Sequence, residues 1–446
     1  MKRTLLPVFA CLALLLSCQC EFHVGSKDKK ESDKNQTPDE LYQEGLHHLR
    51  APGANEARPE KALLFFTRAA EQGHADAQFN LGVMYERGIG VKADPAQALA
   101  WYRKSALQDN PKAIFNLGVM IDNGRGGPEN PGEAFALFQK AADKGISDAF
   151  YSLGFCYEHG RGVAVDFAMA AQWYQKAADK GDGSAQLNLG LLYESGRGVQ
   201  ADLKRALELI GKPAAAGGAL AMFNMGRILE RENSGVQDLP GAVGWYQKAA
   251  VKGNAKAMTN LGLLTEEGRG IEKDPKSAAV WFRKAADLDD PMGMLNLGRM
   301  MLDGVGVEKD PKGGIAWFRK AADLGNSIAR YNLAVCLEDG RGTEKNPVEA
   351  VKLYQQSAGA GHVMSMVNLG LAYINGRGIL QDYAKGLEWI TKAADAGHPL
   401  GYMNLGLLHE EGFGVKQDRE KARVYYQKAL DLGFPPAAER LKKLKK

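Results

Sequence analysis

The residues that could do chemistry are few, and most of them stand apart. The eight histidines are His23, His47, His48, His74, His159, His362, His398 and His409, and the adjacent pair His47-His48 has no acidic or cysteine partner at metal-ligand spacing. Among the cysteines, Cys11, Cys18 and Cys20 crowd the start of the chain, while Cys156 and Cys336 are isolated. No nucleophile has a base at a recognisable spacing, so no catalytic residue, cofactor site or metal site is expected. Two polar series, by contrast, are regular. Asparagine recurs as Asn80, Asn116, Asn188, Asn224, Asn260, Asn296, Asn332, Asn368 and Asn404, and arginine as Arg125, Arg161, Arg197, Arg269, Arg341 and Arg377. Asparagine is a mediocre helix former, so its recurrence needs a hydrogen-bonding reason. Either each amide bonds the backbone of a neighbouring repeat, or the row reads the backbone of a bound peptide. The arginines read as turn residues paired with acids such as Glu158, Glu194 and Glu338, or else as a stripe for an anionic ligand.

Both series keep a period of 36 residues, which is the period of the whole chain. The unit is Ala75 to Asn110. Its Asn80-Leu81-Gly82 returns without slip as far as Asn404-Leu405-Gly406, with Ser152-Leu153-Gly154, Asn224-Met225-Gly226 and Asn332-Leu333-Ala334 as variants. Ala77, Leu81, Met84, Tyr85 and Gly88 form the stripe of an amphipathic helix, helix A. Its first core slot is always small, from Ala77 to Gly401, and with Gly82 this implies closely approaching backbones. Helix B begins where Asp94, Asn130, Asp166, Asp202, Asp238, Asp274, Asp310, Asn346, Asp382 and Asp418 fall in phase, all residues that cap an N-terminus. Proline follows in five copies, Pro95 among them. Further along helix B, one slot holds all six tryptophans, Trp101, Trp173, Trp245, Trp281, Trp317 and Trp389, and is expected to wedge between helices. Glycine pairs such as Gly88/Gly90 close the turn; a helix precedes them, so they are not phosphate loops. Glu232-Asn233-Ser234 breaks the pair and predicts a different turn. One residue before the asparagines runs an aromatic-rich row, Phe79, Phe115, Tyr151, Phe223 and Tyr331 among its members, which either packs on the next helix or lines a groove with aromatic anchors.

The series Ala77-Leu81-Gly82-Tyr85-Gly88-Gly90-Val91-Asp94-Ala98-Trp101-Tyr102-Lys104-Ala106 closely resembles the Sel-one-like repeat family, a relative of the tetratricopeptide repeat. The resemblance covers most of residues 39–446. It implies an all-α fold, a right-handed α/α superhelical solenoid of about 11 helix-pair repeats. It also implies a protein–protein adaptor that takes ligands on a concave face lined by helix A, with the asparagines placed like those of tetratricopeptide domains that hold a peptide. Some secreted members tie each repeat with a disulfide, and this chain departs from them. Residues 39–74 read as an atypical capping repeat, 75–434 as ten regular repeats, and 435–446 as a capping helix with Leu441 in core phase and lysines outside.

With 57 basic and 53 acidic residues the chain is close to charge balance, and nothing in its bulk composition points to nucleic acid. Residues 1–17 read as an export signal, Lys2-Arg3 followed by an apolar run from Leu5 to Leu16 that is shorter than a membrane span. Leu15-Leu16-Ser17-Cys18 resembles a bacterial lipoprotein box, which would lipidate Cys18 and, with Gln19 following, favour an outer-membrane address; ordinary secretion is the alternative. Residues 18–38 read as a flexible tether. The expected function is a non-enzymatic scaffold of the cell envelope, joined to the membrane by a lipid and to a protein partner by the helix A face. A glycan-binding or polysaccharide-export component is the alternative, and a cell-wall or lactam hydrolase a weaker one. Cys156 and Cys336, five repeats apart, are expected to be buried, inert thiols.

Overall fold

The computed structural model describes residues 36–49 and 58–444. The predicted leader, Cys18, the tether up to Asn35 and the loop Ala51–Asn55 lie outside the described residues. Among the described residues there are 23 helices and no strand, arranged as alternating A and B helices of the 36-residue repeat. The first regular pair is Ala75–Arg87 and Pro95–Leu107, and the next A helix is Pro111–Asp122. The helices group into two compact units that divide between Pro213 and Ala214. Within each unit the pairs stack in register, which is the architecture of an α solenoid.

Local chemistry sets the ends of the helices. All ten residues expected to cap helix B accept a backbone N–H from the first turn, as Asp94 does from Ala96 and Gln97 and Asp202 from Arg205. The same residue closes the preceding turn with its own backbone: Asp94 N donates to Tyr85 O at 2.9 Å, and Asp238 N to Leu229 O at 2.9 Å. Helix A is capped by His74, Asn110, Asp182, Asn254, Asp290, Asn326, His362 and His398, so three of the histidines serve as caps through Nδ1. The first helix, Pro38–Leu49, starts from a reciprocal capping box between Thr37 and Glu40, and the chain closes with the helix Pro436–Leu444. The turn after Ala219–Glu230 differs, as its sequence implies: the left-handed positions are Asn233 and Gly235.

The core corrects one expectation. The tryptophans are not the wedge. The wedge is the residue after them: Tyr102, Tyr174, Tyr246, Phe282 and their equivalents are fully buried, whereas five of the six indoles are half-buried. Every wedge but Tyr354, whose repeat has Ala334 at that slot, lies against the glycine of helix A in its own repeat. A Cβ on Gly82 would stand 2.5 Å from the Tyr102 ring, and one on Gly262 would stand 2.6 Å from the Phe282 ring. Glycine is therefore kept mid-helix for the ring that fills its place, against its poor helix propensity. Backbone closeness applies at another slot, where a Cβ on Gly293 would meet Ala286 N at 3.1 Å. The tryptophans instead carry a lysine ammonium over the ring, from Lys104 on Trp101 at 3.8 Å to Lys284 on Trp281 at 4.4 Å, in all six copies. The second glycine of each turn serves the next contact: at Gly126 a Cβ would run into the carbonyl of Pro95, the first residue of helix B in the preceding repeat.

Two glycines of one unit should respond to substitution with opposite sign. Gly262→Val, which drives a branched side chain into the Phe282 ring, is expected to lower stability by about 1–3 kcal/mol. Gly244 in helix Leu239–Val251 faces open space, so Gly244→Ala should raise stability by about 0.5–1 kcal/mol. Urea unfolding monitored by circular dichroism measures both, and equal or same-signed effects would contradict the notch.

Candidate functional site

The asparagine row sits on helix A about two helical turns before the glycine turn, and in four repeats its donor is committed inside the protein. Asn116, Asn188, Asn260 and Asn368 each donate from Nδ2 to the hydroxyl of the wedge tyrosine in the preceding repeat, Tyr102, Tyr174, Tyr246 and Tyr354, at 3.2, 3.2, 2.9 and 3.1 Å. That hydroxyl donates in turn to a glutamate of its own repeat, Glu86, Glu158, Glu230 or Glu338, at 2.8 Å in each case. The arginine of the following turn completes the chain, with Arg125 at 2.7 Å from Glu86, Arg377 at 2.9 Å from Glu338, and Arg197 and Arg269 at 3.7 and 3.8 Å from Glu158 and Glu230. Each tetrad thus draws two residues from one repeat and two from the next. The expected backbone partner of the asparagines is replaced by a side-chain hydroxyl. The expected pairing of the arginine row holds, across the repeat boundary.

In three repeats whose wedge has no hydroxyl the acid changes with it, whereas Ile210 and Phe282 keep Glu194 and Glu266. Phe138 is accompanied by Asp122 in the glutamate slot and Ser152 in the asparagine slot; Arg161 follows the shorter acid and bonds Asp122 at 3.0 Å and Glu129 at 2.7 Å. Phe318 and Ile390 face Leu302 and Ile374 in place of the acid. Asn224, Asn296 and Asn404, which follow Ile210, Phe282 and Ile390, fold their amides back to their own helix at Leu220, Met292 and Leu400. Asn80 follows Phe66 and is buried, and its amide nitrogen has no partner among the described residues. Asn332 follows Phe318 and makes no side-chain hydrogen bond among the described residues. The Tyr–Glu half of the network was not anticipated from the sequence, although the joint presence of Tyr102 with Glu86 and of Phe318 with Leu302 was there to be read.

The aromatic row lies beside this network. Phe79, Phe115, Tyr151, Phe223 and Tyr331 are half-buried, and each tilts onto the wedge ring of its own repeat at centroid distances of 5.8, 5.8, 5.7, 6.0 and 6.1 Å. One side of every ring is thus in the core while part of it stays open to solvent. Burial, then the neighbouring Glu86, raises the Tyr102 phenol far above its ordinary value, and the other wedge tyrosines move the same way. Cys156 and Cys336 are buried and free, and burial pushes the Cys156 thiol up to about 12, the unreactive side of a cysteine's range. Among the described residues no group of three or more His, Cys, Asp or Glu side chains is placed to hold a metal ion.

Comparison with known proteins follows the same repeats. The Sel1 repeat model matches residues 41–74, 75–110, 111–146, 147–182, 183–217, 219–254, 255–290, 291–326, 327–362, 363–398 and 399–434. Among solved structures, a protective antigen of uropathogenic Escherichia coli strains displaying an SLR fold is 29% identical, with a TM-score of 0.69 over 93% of this chain and 89% of that one. A Sel1 repeat protein from Oxalobacter formigenes is 26% identical, with a TM-score of 0.54 over 89% of this chain and 99% of that one. No curated protein matches.

Removing one hydroxyl should loosen two neighbouring repeats together. Tyr246→Phe is expected to lower stability by about 1 kcal/mol, with a coupling to Asn260→Ala of about 0.5–1 kcal/mol in a double-mutant cycle. Because the folded phenols sit above their unfolded value, this stability is complete below about pH 10 and is lost as pH rises and the unfolded chain ionises. Melting temperature against pH checks this, and a flat profile between pH 9 and about 11 would contradict it.

Proposed function

Because this chain belongs to the Sel1 repeat family, whose members generally act as non-catalytic protein–protein interaction scaffolds, we propose that it is a scaffold of the bacterial cell envelope. In this reading the solenoid is held to a membrane by a lipid on Cys18 and offers the outer line of its A helices to a segment of another envelope protein. The signal-like residues 1–17, the box ending at Cys18 and the polar stretch 18–38 support the anchor, and the outer membrane is the address that Gln19 favours. The observation that carries the binding reading is the division of labour on helix A. Ala77, Leu81 and Met84 are buried in the core, while six of the nine asparagines, the named aromatic residues Phe79, Phe115, Tyr151, Phe223 and Tyr331, and the next turn's Val83, Leu191, Leu263 and Leu371 stay half-exposed; Asn80, Asn224 and Asn296 are buried. A half-exposed apolar row bordered by amides is suited to taking up a peptide or a helix.

Asn332 separates recognition from stability, since it lies in the row without serving a tetrad. Asn332→Ala should leave the melting temperature unchanged and reduce partner capture several-fold, whereas Asn260→Ala should affect both. A photo-crosslinking residue at Leu371 on helix A and another at Lys352 on helix B, in intact envelopes, locates the contact. Adducts are expected from Leu371, and adducts from Lys352 alone would overturn the assignment of the face. The anchor is checked by metabolic labelling with palmitate, which should be lost in Cys18→Ala; retained label would overturn it.

A further inference from the structure

The outer line of each A helix is read at four positions spaced i, i+4, i+7 and i+11, and the last three regular A helices carry a version of it that the first ones lack. In Ser327–Asp339, Val363–Asn375 and Pro399–Glu411 the first position is Ile328, Met364 or Leu400 and the third is Val335, Leu371 or Leu407. The fourth is Asp339, Asn375 or Glu411, and the second is always asparagine. In the first three regular repeats the first position is instead Asp76, Lys112 or Asp148, and the fourth is Arg87, Asn123 or His159. The apolar six are half-buried or exposed, Ile328 to the extent of 40%. Asp339 and Glu411 are exposed and take part in no ion pair among the described residues.

No cation lies on these three lines. Four arginines of this stretch are engaged elsewhere: Arg377 pairs with Glu338 at 2.9 Å, Arg440 with Glu410 at 3.5 Å and Arg341 with Asp303 at 3.0 Å, and the Arg330 guanidinium donates to Ala322 O. The amide of Asn368 spends one of its two N–H groups on Tyr354 and that of Asn404 spends one on Leu400 O, and the carbonyl oxygen of each is left as an acceptor. Two apolar rows, an acidic border and a row of acceptors are complementary to apolar side chains flanked by donors that carry positive charge.

Resting on the reading that the A face binds a partner, we propose that helices Ser327–Asp339, Val363–Asn375 and Pro399–Glu411 form the docking surface for a cationic amphipathic helix of that partner. Three helices packed about 8–10 Å apart span roughly 20 Å, the length of about 13 residues of helix. Leucine-like residues of the partner cover the Ile328–Met364–Leu400 and Val335–Leu371–Leu407 rows, and lysine or arginine along one border meets Asp339 and Glu411.

The test titrates the purified full chain with a stapled helical peptide of about 15 residues, leucine along one face and lysine along its border. The comparison peptide has glutamate in place of lysine. Binding is read as amide hydrogen-exchange protection. The lysine peptide is expected to protect residues 327–339, 363–375 and 399–411 saturably and about 10-fold more tightly than the glutamate peptide. The double substitution Asp339→Lys, Glu411→Lys, at two exposed positions outside the core, should reverse that order. Absence of saturable protection, equal affinity for the two peptides, or protection elsewhere would each overturn the proposal. These outcomes leave the broader reading intact as long as crosslinks from Leu371 persist; loss of those crosslinks sinks the A face itself.

Discussion

In nearly every repeat a bulky side chain of helix B occupies the place where a side chain of helix A would otherwise stand. The Tyr102 ring against Gly82, the Phe282 ring against Gly262 and Ile210 against Gly190 are three versions of one fit, and only the last loses the ring. The glycine has no other reason to be in the middle of a helix. Because the fit fixes how close the two helices lie and how they are rotated, it also decides which residues face outward. The asparagine, the aromatic residue before it and the apolar residue three later share the surface of helix A because the glycine side is taken. Ala334, buried in the same core cluster as Tyr354, is the largest residue found at the glycine slot in this chain.

Onto that fit the chain adds a link between repeats. The tyrosine hydroxyl reaches past its own glycine to a glutamate behind and an asparagine ahead, and the arginine of the following turn closes the set. Such buried polar groups are stable only when every member is satisfied. That rule accounts for the joint substitutions: Phe318 with Leu302 and Ile390 with Ile374 remove donor and acceptor together, whereas Phe138 keeps a shortened acid held by Arg161. Copies that keep the acid without the hydroxyl are followed by an asparagine folded back to its own helix, as at Asn224 and Asn296.

Much of this was legible in the chain. The period, the caps at Asp94 and its equivalents, the left-handed glycine turns and the inert thiols follow from local chemistry, and local chemistry is what a single sequence displays. Tryptophan was misread as the wedge because size alone favours it, and size does not say which of two adjacent residues turns inward. Trp101 and Tyr102 differ by about 100° around the helix, and the glycine on the partner helix, not the larger ring, decides between them. The asparagine row was legible as a row in need of a hydrogen bond. Its partner was not, because the tyrosine lies in the preceding repeat, on another helix, and only packing brings the two together. The switch in character of the last A faces, from Asp76 and Arg87 to Ile328 and Asp339, was written in the chain but becomes meaningful once those positions are known to share one outward line.

The account rests on neighbouring helix pairs supporting one another through the occupied glycine notch. Native-state hydrogen exchange on Gly298→Val, which forces apart the helices Pro291–Asp303 and Pro311–Asp323, addresses it most directly. Protection should fall in those two helices and, to a lesser degree, in the helices 275–287 and 327–339 on either side, and recover farther along the unit. Loss confined to the two substituted helices, with their neighbours unchanged, would contradict it.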